Sequence, residues 1–185
     1  MRKVVAAINM TVDGFFDHTT LIADEEIHQH YNDLLRNSGT LIYGRITYQL
    51  METSWPAIVK SPTGNEPIDE FAVLIDAIPK VVFSRTLKKL EWATAKFAKL
   101  DLREEVLKLR QETGRDILVG SRSLIVTLMN LNLIDEFQLC VQPIIATKGL
   151  LLLENIQDRI GLKLLKTKTL ASSGSIVLYY EPTKK

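Results

Sequence analysis

Short apolar segments alternate with amphipathic helical segments along most of this chain. Residues 2–10, 40–43, 80–83 and 116–119 are apolar runs rich in β-branched residues, which is typical of buried strands. Helical spacing follows several of them, as in Ile27, Tyr31 and Leu34, behind a candidate N-cap at Asp24. This alternation is typical of a parallel sheet covered by helices.

The last third of the chain has a different pattern. Residues 137–142 alternate apolar and polar side chains, as in a half-covered strand, and residues 162–170 and 175–181 predict two strands joined by a hairpin turn at 172–174. We therefore predict an α/β fold, a three-layer α/β/α sandwich whose mixed, mostly parallel sheet ends in antiparallel strands. Residues 1–185 are expected to form a single domain. Residues 53–67 hold three of the six prolines and no periodicity, which predicts a long functional loop.

Composition narrows the class of function. The chain has 23 lysines and arginines against 22 acidic residues, a net charge of +1, which argues against a nucleic-acid partner. No apolar run approaches the roughly 20 residues of a membrane helix, and the N-terminal segment lacks the features of a signal peptide. The single cysteine, Cys140, can form neither an intramolecular disulfide nor a zinc cluster, and we expect it to pack in the core. His28 and His30, two apart on one helix, are expected on a solvated face rather than at a metal, so a cytoplasmic protein without a metal site is predicted.

Three turns that follow strands carry small, hydroxyl and cationic residues, with a glycine in two of them, at the edge where α/β proteins bind ligands. Glycine admits a ligand close to the backbone, helix N-termini present free N–H groups, and arginine binds phosphate. Each turn alone could be an ordinary surface turn, but the three together suit a dinucleotide, and arginines beside hydroxyls favour NADPH over NADH. The predicted cofactor-binding residues are Gly44, Arg45, Thr47, Ser84, Arg85, Thr86, Gly120, Ser121, Arg122 and Ser123.

Fewer residues are candidates for the substrate side. Asp13 is the best-placed acid for catalysis and Gly14 follows it, although Asp-Gly is also a common turn. Trp55 could line the binding site of a heterocyclic substrate or simply cover the core. The acids at 24–26 are expected to complement the dipole of the helix that they open.

Five motifs in order resemble the dihydrofolate reductase-like family, in the branch of the riboflavin-pathway reductase (RibD) C-terminal domain. They lie at residues 9–14, 44–48, 82–87, 116–121 and 133–136 and span nearly the whole chain. The resemblance implies an eight-stranded mixed sheet, NADPH as the cofactor and a homodimer.

The resemblance also implies residue roles. The turn at 44–47 would bind cofactor phosphates, the turn at 84–86 the adenosine 2′-phosphate end, and Gly120 and Ser121 would lie under the pyrophosphate and nicotinamide. Asp13 and Gly14 would border the nicotinamide and the substrate. The family's Pro-x-x-x-Gly-x-Gly segment is altered here, because residues 143–149 read Pro-Ile-Ile-Ala-Thr-Lys-Gly and lack the first glycine.

These features predict an NADPH-dependent reductase that transfers a hydride to a C=N or C=O bond of a small heterocyclic substrate, pterin- or aminopyrimidine-like. The proton would come from Asp13 or from water. The chain shows no fused zinc deaminase domain and no further arginine cluster for a ribose phosphate, which argues against the dedicated riboflavin enzyme. The alternatives are a non-catalytic NADP(H)- or nucleotide-binding module on the same fold, and a structural dimer formed through the C-terminal strands.

Overall fold

The elements of the chain alternate between strands and helices, with strands alone at the C-terminal end. The computed structural model describes residues 1–16 and 21–183. Within the described ranges, no helix is long and apolar enough to cross a membrane. The elements are β1 (Val4–Thr11), β2 (Phe15–Phe16), α1 (Glu25–Arg36), β3 (Ser38–Gly44), α2 (Arg45–Lys60), α3 (Glu66–Ala77), β4 (Lys80–Phe83), β5 (Ala95–Phe97), α4 (Leu102–Gln111), β6 (Asp116–Val119), α5 (Arg122–Asn130), β7 (Glu136–Gln142), β8 (Leu150–Leu151), β9 (Leu162–Leu170) and β10 (Ser175–Pro182).

Eight strands form one mixed sheet in the order β5-β4-β3-β6-β1-β7-β10-β9. The pairs from β5 across to β7 are parallel, whereas β10 runs antiparallel to both β7 and β9. The remaining two strands, β2 and β8, pair with each other. The mostly parallel sheet with an antiparallel end confirms the predicted fold class, and β9 and β10 lie where the hairpin was predicted.

Alternate residues of the central strands pack against helices on opposite faces of the sheet. Val4, Ala6 and Ile8 of β1 belong to a core that includes α4 and α5. Val5 and Ala7 of the same strand belong to a second core with α1, α2 and α3. Both faces of the sheet are therefore covered, which explains why the parallel strands are continuous apolar runs.

The prediction that residues 137–142 form a half-covered strand was wrong. Phe137 and Cys140 are each 1% exposed, and Gln138 and Gln142 are also buried. The reason is position, because β7 lies between β1 and β10, away from both edges of the sheet. The burial of Cys140 confirms its expected packing role.

Residues 53–67 are not the long loop that was predicted. Helix α2 continues to Lys60 with Pro56 inside it, and α3 begins at Glu66, so the connection is short. Tyr48, Met51 and Trp55 pack on the same core, at spacings of three and four residues. This helical spacing was present in the sequence, but the proline hid it.

The start of α1 confirms the structural role expected for residues 24–26. The Asp24 side chain accepts a hydrogen bond from the N–H of Ile27 at 2.9 Å and so caps the helix. The Ser172 hydroxyl lies 2.7 Å from both the Asp24 and the Glu26 carboxylates, and the hydrogen bonds from the hydroxyl and the N–H of Ser172 to Glu26 lower the pKa of Glu26. His30, further along α1, is buried at 3% exposure, so its expected place on a solvated face was wrong.

Candidate functional site

Four segments that the sequence singles out follow four neighbouring strands of the sheet. The strands β4, β3, β6 and β1 are adjacent and parallel, so their carboxyl ends lie at one edge. The segments 84–86, 44–47, 120–123 and 13–14 leave this edge in that order. Helix α2 covers one face of the sheet and α5 the other, so the segments after β3 and β6 diverge. Such a divergence opens the crevice where doubly wound sheets bind ligands.

Gly44 connects β3 to α2 without needing to be glycine for the fold. Its φ of −78° is open to any residue, and a Cβ built there would lie 3.6 Å from the Ser123 hydroxyl, an ordinary contact. Its N–H donates to the Ser121 hydroxyl at 2.9 Å. Arg45, which follows, is exposed, and its guanidinium donates to Gln49 at 3.0 Å.

Gly120 and Ser121 connect β6 to α5 and lie against the turn after β3. The Ser121 side chain occupies the N-cap position of α5 but does not cap that helix, because its hydroxyl accepts from Gly44 instead. The N-terminal N–H groups of α5 are thus left without that cap. A Cβ at Gly120 would lie 3.7 Å from the carbonyl oxygen of Ala7, again an ordinary contact.

Arg122 is held by the segment that contains β8. Its guanidinium donates to the carbonyl of Leu151 at 2.7 Å and pairs with Glu154 at 2.9 Å. The neighbouring Ser123 is exposed. Of the two, Arg122 already has partners within the protein, so its side chain is less open to a ligand than that of Arg45.

The turn after β4 is shaped by Ser84. Its hydroxyl accepts from the N–H groups of Thr86 at 3.2 Å and Leu87 at 3.0 Å, which closes a tight turn. Arg85 and Thr86 are exposed at its tip. The Arg85 guanidinium and the Thr86 hydroxyl are therefore both open to solvent after the carboxyl end of β4.

Asp13 fastens the segment after β1 to the loop after β7. Its carboxylate accepts from the Thr11 hydroxyl at 2.6 Å and from the N–H groups of Ala146 at 3.1 Å and Thr147 at 2.8 Å. The Thr11 hydrogen bond is the largest cause of the lowered pKa of Asp13. Gly14, at φ +89°, needs the left-handed region that glycine favours. Asp13 thus carries a negative charge at neutral pH and already binds three donors.

The loop that Asp13 holds keeps a conformation that suits glycine. Thr147 has φ 62°, at the position where the resembled family has the first glycine of its Pro-x-x-x-Gly-x-Gly segment. A β-branched residue is unfavourable in this region. The chain therefore retains the loop's backbone shape although the glycine is missing.

An apolar cavity of about 240 Å³ opens beside this edge, between α1 and the sheet. Thr47 and Gly120, from the turns after β3 and β6, line it, as do His28, Phe71 and Met51. Asn9 and Tyr31 also line it, and the Tyr31 hydroxyl donates to Asn9 Oδ1 at 2.8 Å. Burial raises the pKa of Tyr31 well above its usual value, so its phenol stays neutral.

Trp55 lies behind the wall of this cavity. Its ring centroid is 4.4 Å from that of Phe71 and 6.2 Å from that of His28, and both of those rings line the cavity. Trp55 therefore supports the wall, and its direct contact with a substrate stays a prediction.

Sequence reasoning missed Asn9, Tyr31 and His28 as residues of a cavity. Tyr31 belongs to the apolar face of α1, and its spacing predicts only a core residue. Asn9 is a polar residue near the end of the apolar strand β1. A polar residue inside a buried strand was the available signal, because buried polar side chains need partners. Among the described residues, no group of three or more histidine, cysteine, aspartate or glutamate side chains could hold a metal ion.

The sheet order, the covered faces and the crevice at the carboxyl edge are those of an α/β protein with a mostly parallel sheet. The family model of the RibD C-terminal domain matches residues 2–177, and the chain belongs to this family. The family assignment confirms the resemblance drawn from the five sequence motifs.

Similar proteins support the same fold. The chain is 31% identical to the uncharacterised protein YyaP of Bacillus subtilis, over 97% of this chain and 95% of that one. It resembles a pyrimidine reductase-like protein from Corynebacterium diphtheriae, with TM-score 0.64 and 12% identity over 100% of this chain and 93% of that one. It also resembles a diaminohydroxyphosphoribosylaminopyrimidine deaminase/5-amino-6-(5-phosphoribosylamino)uracil reductase from Thermotoga maritima, with TM-score 0.67 and 13% identity over 98% of this chain and 57% of that one. The fold is thus that of the reductase domain of RibD.

Proposed function

We propose that this protein is an NADPH-dependent reductase that transfers a hydride to a small heterocyclic substrate. The observation that carries the proposal is the arrangement of three cofactor-type turns after adjacent strands β4, β3 and β6, beside an apolar cavity. The edge offers cations, hydroxyls and helix N-termini, and the cavity offers a water-poor pocket next to them. A long charged cofactor and a small ring substrate are the pair of ligands that such a site suits.

The glycines at 44 and 120 support cofactor binding because the fold itself tolerates a side chain at both positions. A Cβ would meet its nearest atoms at 3.6 and 3.7 Å, which are ordinary contacts, so the fold does not require glycine at either position. Without a side chain there, a ligand can approach the backbone closely. The N–H groups at the start of α5 and the exposed Arg45 would bind the pyrophosphate. The residues present therefore fit NADPH, which supplies a hydride when bound.

Arg85 and its neighbours would select the phosphorylated cofactor. Arg85 and Thr86 are exposed at the tip of the turn that Ser84 closes. A guanidinium beside a hydroxyl is a good partner for the 2′-phosphate that distinguishes NADPH from NADH. We expect Arg85 to contribute most of that selectivity.

Asp13 would act at this edge mainly by ordering the loop at 143–149. Its lowered pKa keeps it ionised, and its oxygens accept from Thr11, Ala146 and Thr147. An ionised carboxylate with three donors is a poor source of a proton, so water is the favoured donor to the reduced bond. The catalytic role of Asp13 itself stays a prediction.

Thermal unfolding with each nucleotide tests the cofactor assignment. At about one hundred times its dissociation constant, NADPH should stabilise the fold by about 2.7 kcal/mol, a rise of about 5–11 °C in the midpoint for a domain of this size. The rise with NADH should be much smaller. Arg85→Gln should reduce the NADPH rise to the NADH value, and Gly44→Ala should abolish the rise with either nucleotide.

Arg115→Gln provides the matched control. Arg115 is exposed just before β6, at the opposite edge of the sheet, and its guanidinium donates to the carbonyl of Arg36. This variant should keep the full NADPH rise. A protein that shows no rise with NADPH, or equal rises that Arg85→Gln and Gly44→Ala leave unchanged, would refute the proposed function.

We also propose that the protein forms a homodimer through β9 and β10. Leu162, Leu164 and Ile176 are 39%, 52% and 43% exposed, and the register places them on the same face of the hairpin. Exposed apolar side chains on the edge strand of a sheet are typical of a contact surface. Light scattering should give twice the monomer mass, and Leu164→Lys should halve it. Val73→Lys, on the exposed side of α3, should leave the mass unchanged.

A further inference from the structure

We propose that the cavity between α1 and the sheet takes a flat, uncharged ring that carries no phosphate, and that Asn9 and Tyr31 bind its polar edge. This inference rests on the proposed function, because it assigns the substrate class of the same site.

The size of the cavity sets the size of the ring. Its volume is about 240 Å³. Cavities of roughly 150 Å³ hold benzene, whereas sites for drug-sized ligands begin at roughly 300 Å³. The cavity therefore fits one or two fused rings and excludes a ring that carries a bulky substituent inside the pocket.

The walls of the cavity exclude a phosphate. They are mostly apolar, and none of the described residues that line it is a lysine or an arginine. Away from the turns at 44–47 and 120–123, a phosphate moved into such a wall would lose its hydration without gaining a cation or a set of N–H donors. The arginines of this edge, Arg45, Arg85 and Arg122, are on the turns assigned to the cofactor. The apolar wall includes Ile27, Leu35, Leu41, Phe71, Ile75 and Leu118.

Asn9 and Tyr31 give the cavity one polar patch with a defined pattern. The Tyr31 hydroxyl donates its proton to Asn9 Oδ1 at 2.8 Å. The Asn9 amide N–H groups donate to no other described residue, and the Tyr31 oxygen retains lone pairs. A donor thus lies beside an acceptor, which matches a lactam edge, where a ring C=O lies beside a ring N–H.

Both side chains are fixed by regular structure. Asn9 belongs to β1 and lies opposite Cys140 of β7, and Tyr31 belongs to the second turn of α1, four residues after Ile27. Groups held by strands and helices keep their geometry better than groups on loops. The patch is therefore preorganised to bind one orientation of the ring.

Two small probes of similar size separate the effects of charge and of the polar edge. Isocarbostyril is a neutral bicyclic lactam, and α-naphthyl phosphate carries a phosphate on a bicyclic ring. Isothermal titration calorimetry should show binding of isocarbostyril to the wild type, and α-naphthyl phosphate should not displace it. Tyr31→Phe should weaken isocarbostyril binding about tenfold, equivalent to about 1.4 kcal/mol.

Two further variants complete the test. Tyr180→Phe removes a hydroxyl from β10, away from the cavity lining, and should leave isocarbostyril binding unchanged. Asn9→Ser removes the amide donor and should weaken binding about as much as Tyr31→Phe, so it serves if Tyr31→Phe does not fold.

The outcomes distinguish this inference from the proposed function. The inference is overturned if isocarbostyril does not bind, if both cavity variants bind it as tightly as the wild type, or if α-naphthyl phosphate displaces it. A rise in the unfolding midpoint with NADPH would leave the reductase proposal intact in those cases. Binding of isocarbostyril that both variants weaken, without any response to NADPH, would support the cavity assignment and refute the reductase.

Discussion

Acid should destabilise this protein through His30, which is buried between α1 and the C-terminal strands. Its side chain is 3% exposed, and its ring lies 5.2 Å from the ring of Tyr31 and 6.2 Å from that of Tyr179, centroid to centroid. Burial is the main cause that lowers the pKa of His30 to about 4, and Lys168 lowers it further. The charge of Asp33 opposes this effect, and Lys166 adds a smaller decrease.

The sign of the effect follows from proton binding. An unfolded histidine has a pKa of about 6.5, against about 4 for His30 in the folded chain. Between these values the unfolded chain binds more protons, so the free energy of unfolding decreases as the pH falls. The loss from this group is about 2 kcal/mol at pH 5 and about 3 kcal/mol at pH 4. His30 thus supplies stability that is present above about pH 6.5 and lost toward pH 4.

Urea unfolding of the wild type and of His30→Phe measures this loss. The phenyl ring keeps most of the packing and cannot titrate, so the difference between the two free energies of unfolding should change by about 2 kcal/mol from pH 7 to pH 5. Carboxyls with lowered pKa, such as Asp13 and Glu26, affect both proteins equally and cancel in this difference. If the free energies of unfolding of the two proteins change equally with pH, the acid sensitivity does not come from His30.

Three more substitutions test contacts that the structure defines. Lys80→Met should lower the free energy of unfolding, measured in urea, by about 2 to 4 kcal/mol. The buried ammonium has three carbonyl oxygens and a hydroxyl within hydrogen-bond distance for its three N–H groups, so a loss below about 1 kcal/mol would contradict this. Tyr48→Phe should lower the free energy of unfolding by about 1 to 3 kcal/mol in the same assay. The Tyr48 hydroxyl accepts from the N–H groups of residues 91–92, and an unchanged urea midpoint would show that these hydrogen bonds do not stabilise the fold. Asp13→Asn should speed hydrogen exchange at the N–H groups of residues 146–147, and equal protection in both proteins would show that the carboxylate does not hold this loop.

The sequence was sufficient for the central parallel strands and their order of appearance. Residues 80–83 and 116–119 form β4 and β6 with the predicted bounds, because β-branched apolar runs between turn residues have few other stable arrangements. The Asp24 cap and the end of α1 near Asn37 were also predictable, since capping depends on residues within one turn.

The predicted loop at residues 53–67 was wrong because a local signal, the proline in α2, competed with packing. Pro56 removes one backbone N–H from α2, and this suggested a loop. The helix persists because Tyr48, Met51 and Trp55 bury a continuous stripe against the sheet. Burial of three large side chains outweighs one lost hydrogen bond.

The three turns proposed to bind the cofactor could be found in the sequence for a reason that does not extend to the cavity. Each turn has its hydroxyl and cation within four consecutive positions, two of the three also have a glycine there, and parallel strands bring their carboxyl ends together. The cavity is lined by residues of β1, α1, β3, α2, α3 and β6, which are spread over more than a hundred positions. The NADPH specificity, the homodimer, the single-domain organisation and the cytoplasmic location stay predictions.

Asp13 shows why residue type alone could not settle the chemistry of this edge. The sequence identifies an acid in the right place, but an acid donates a proton only if its neighbours leave it protonated. Its neighbours here are the Thr11 hydroxyl, two positions away, and the N–H groups of Ala146 and Thr147, more than 130 positions away. These donors stabilise the carboxylate and keep its pKa low, so the acid that the sequence offers as a proton donor is better suited to shape the loop, and under the proposed function the proton would come from water.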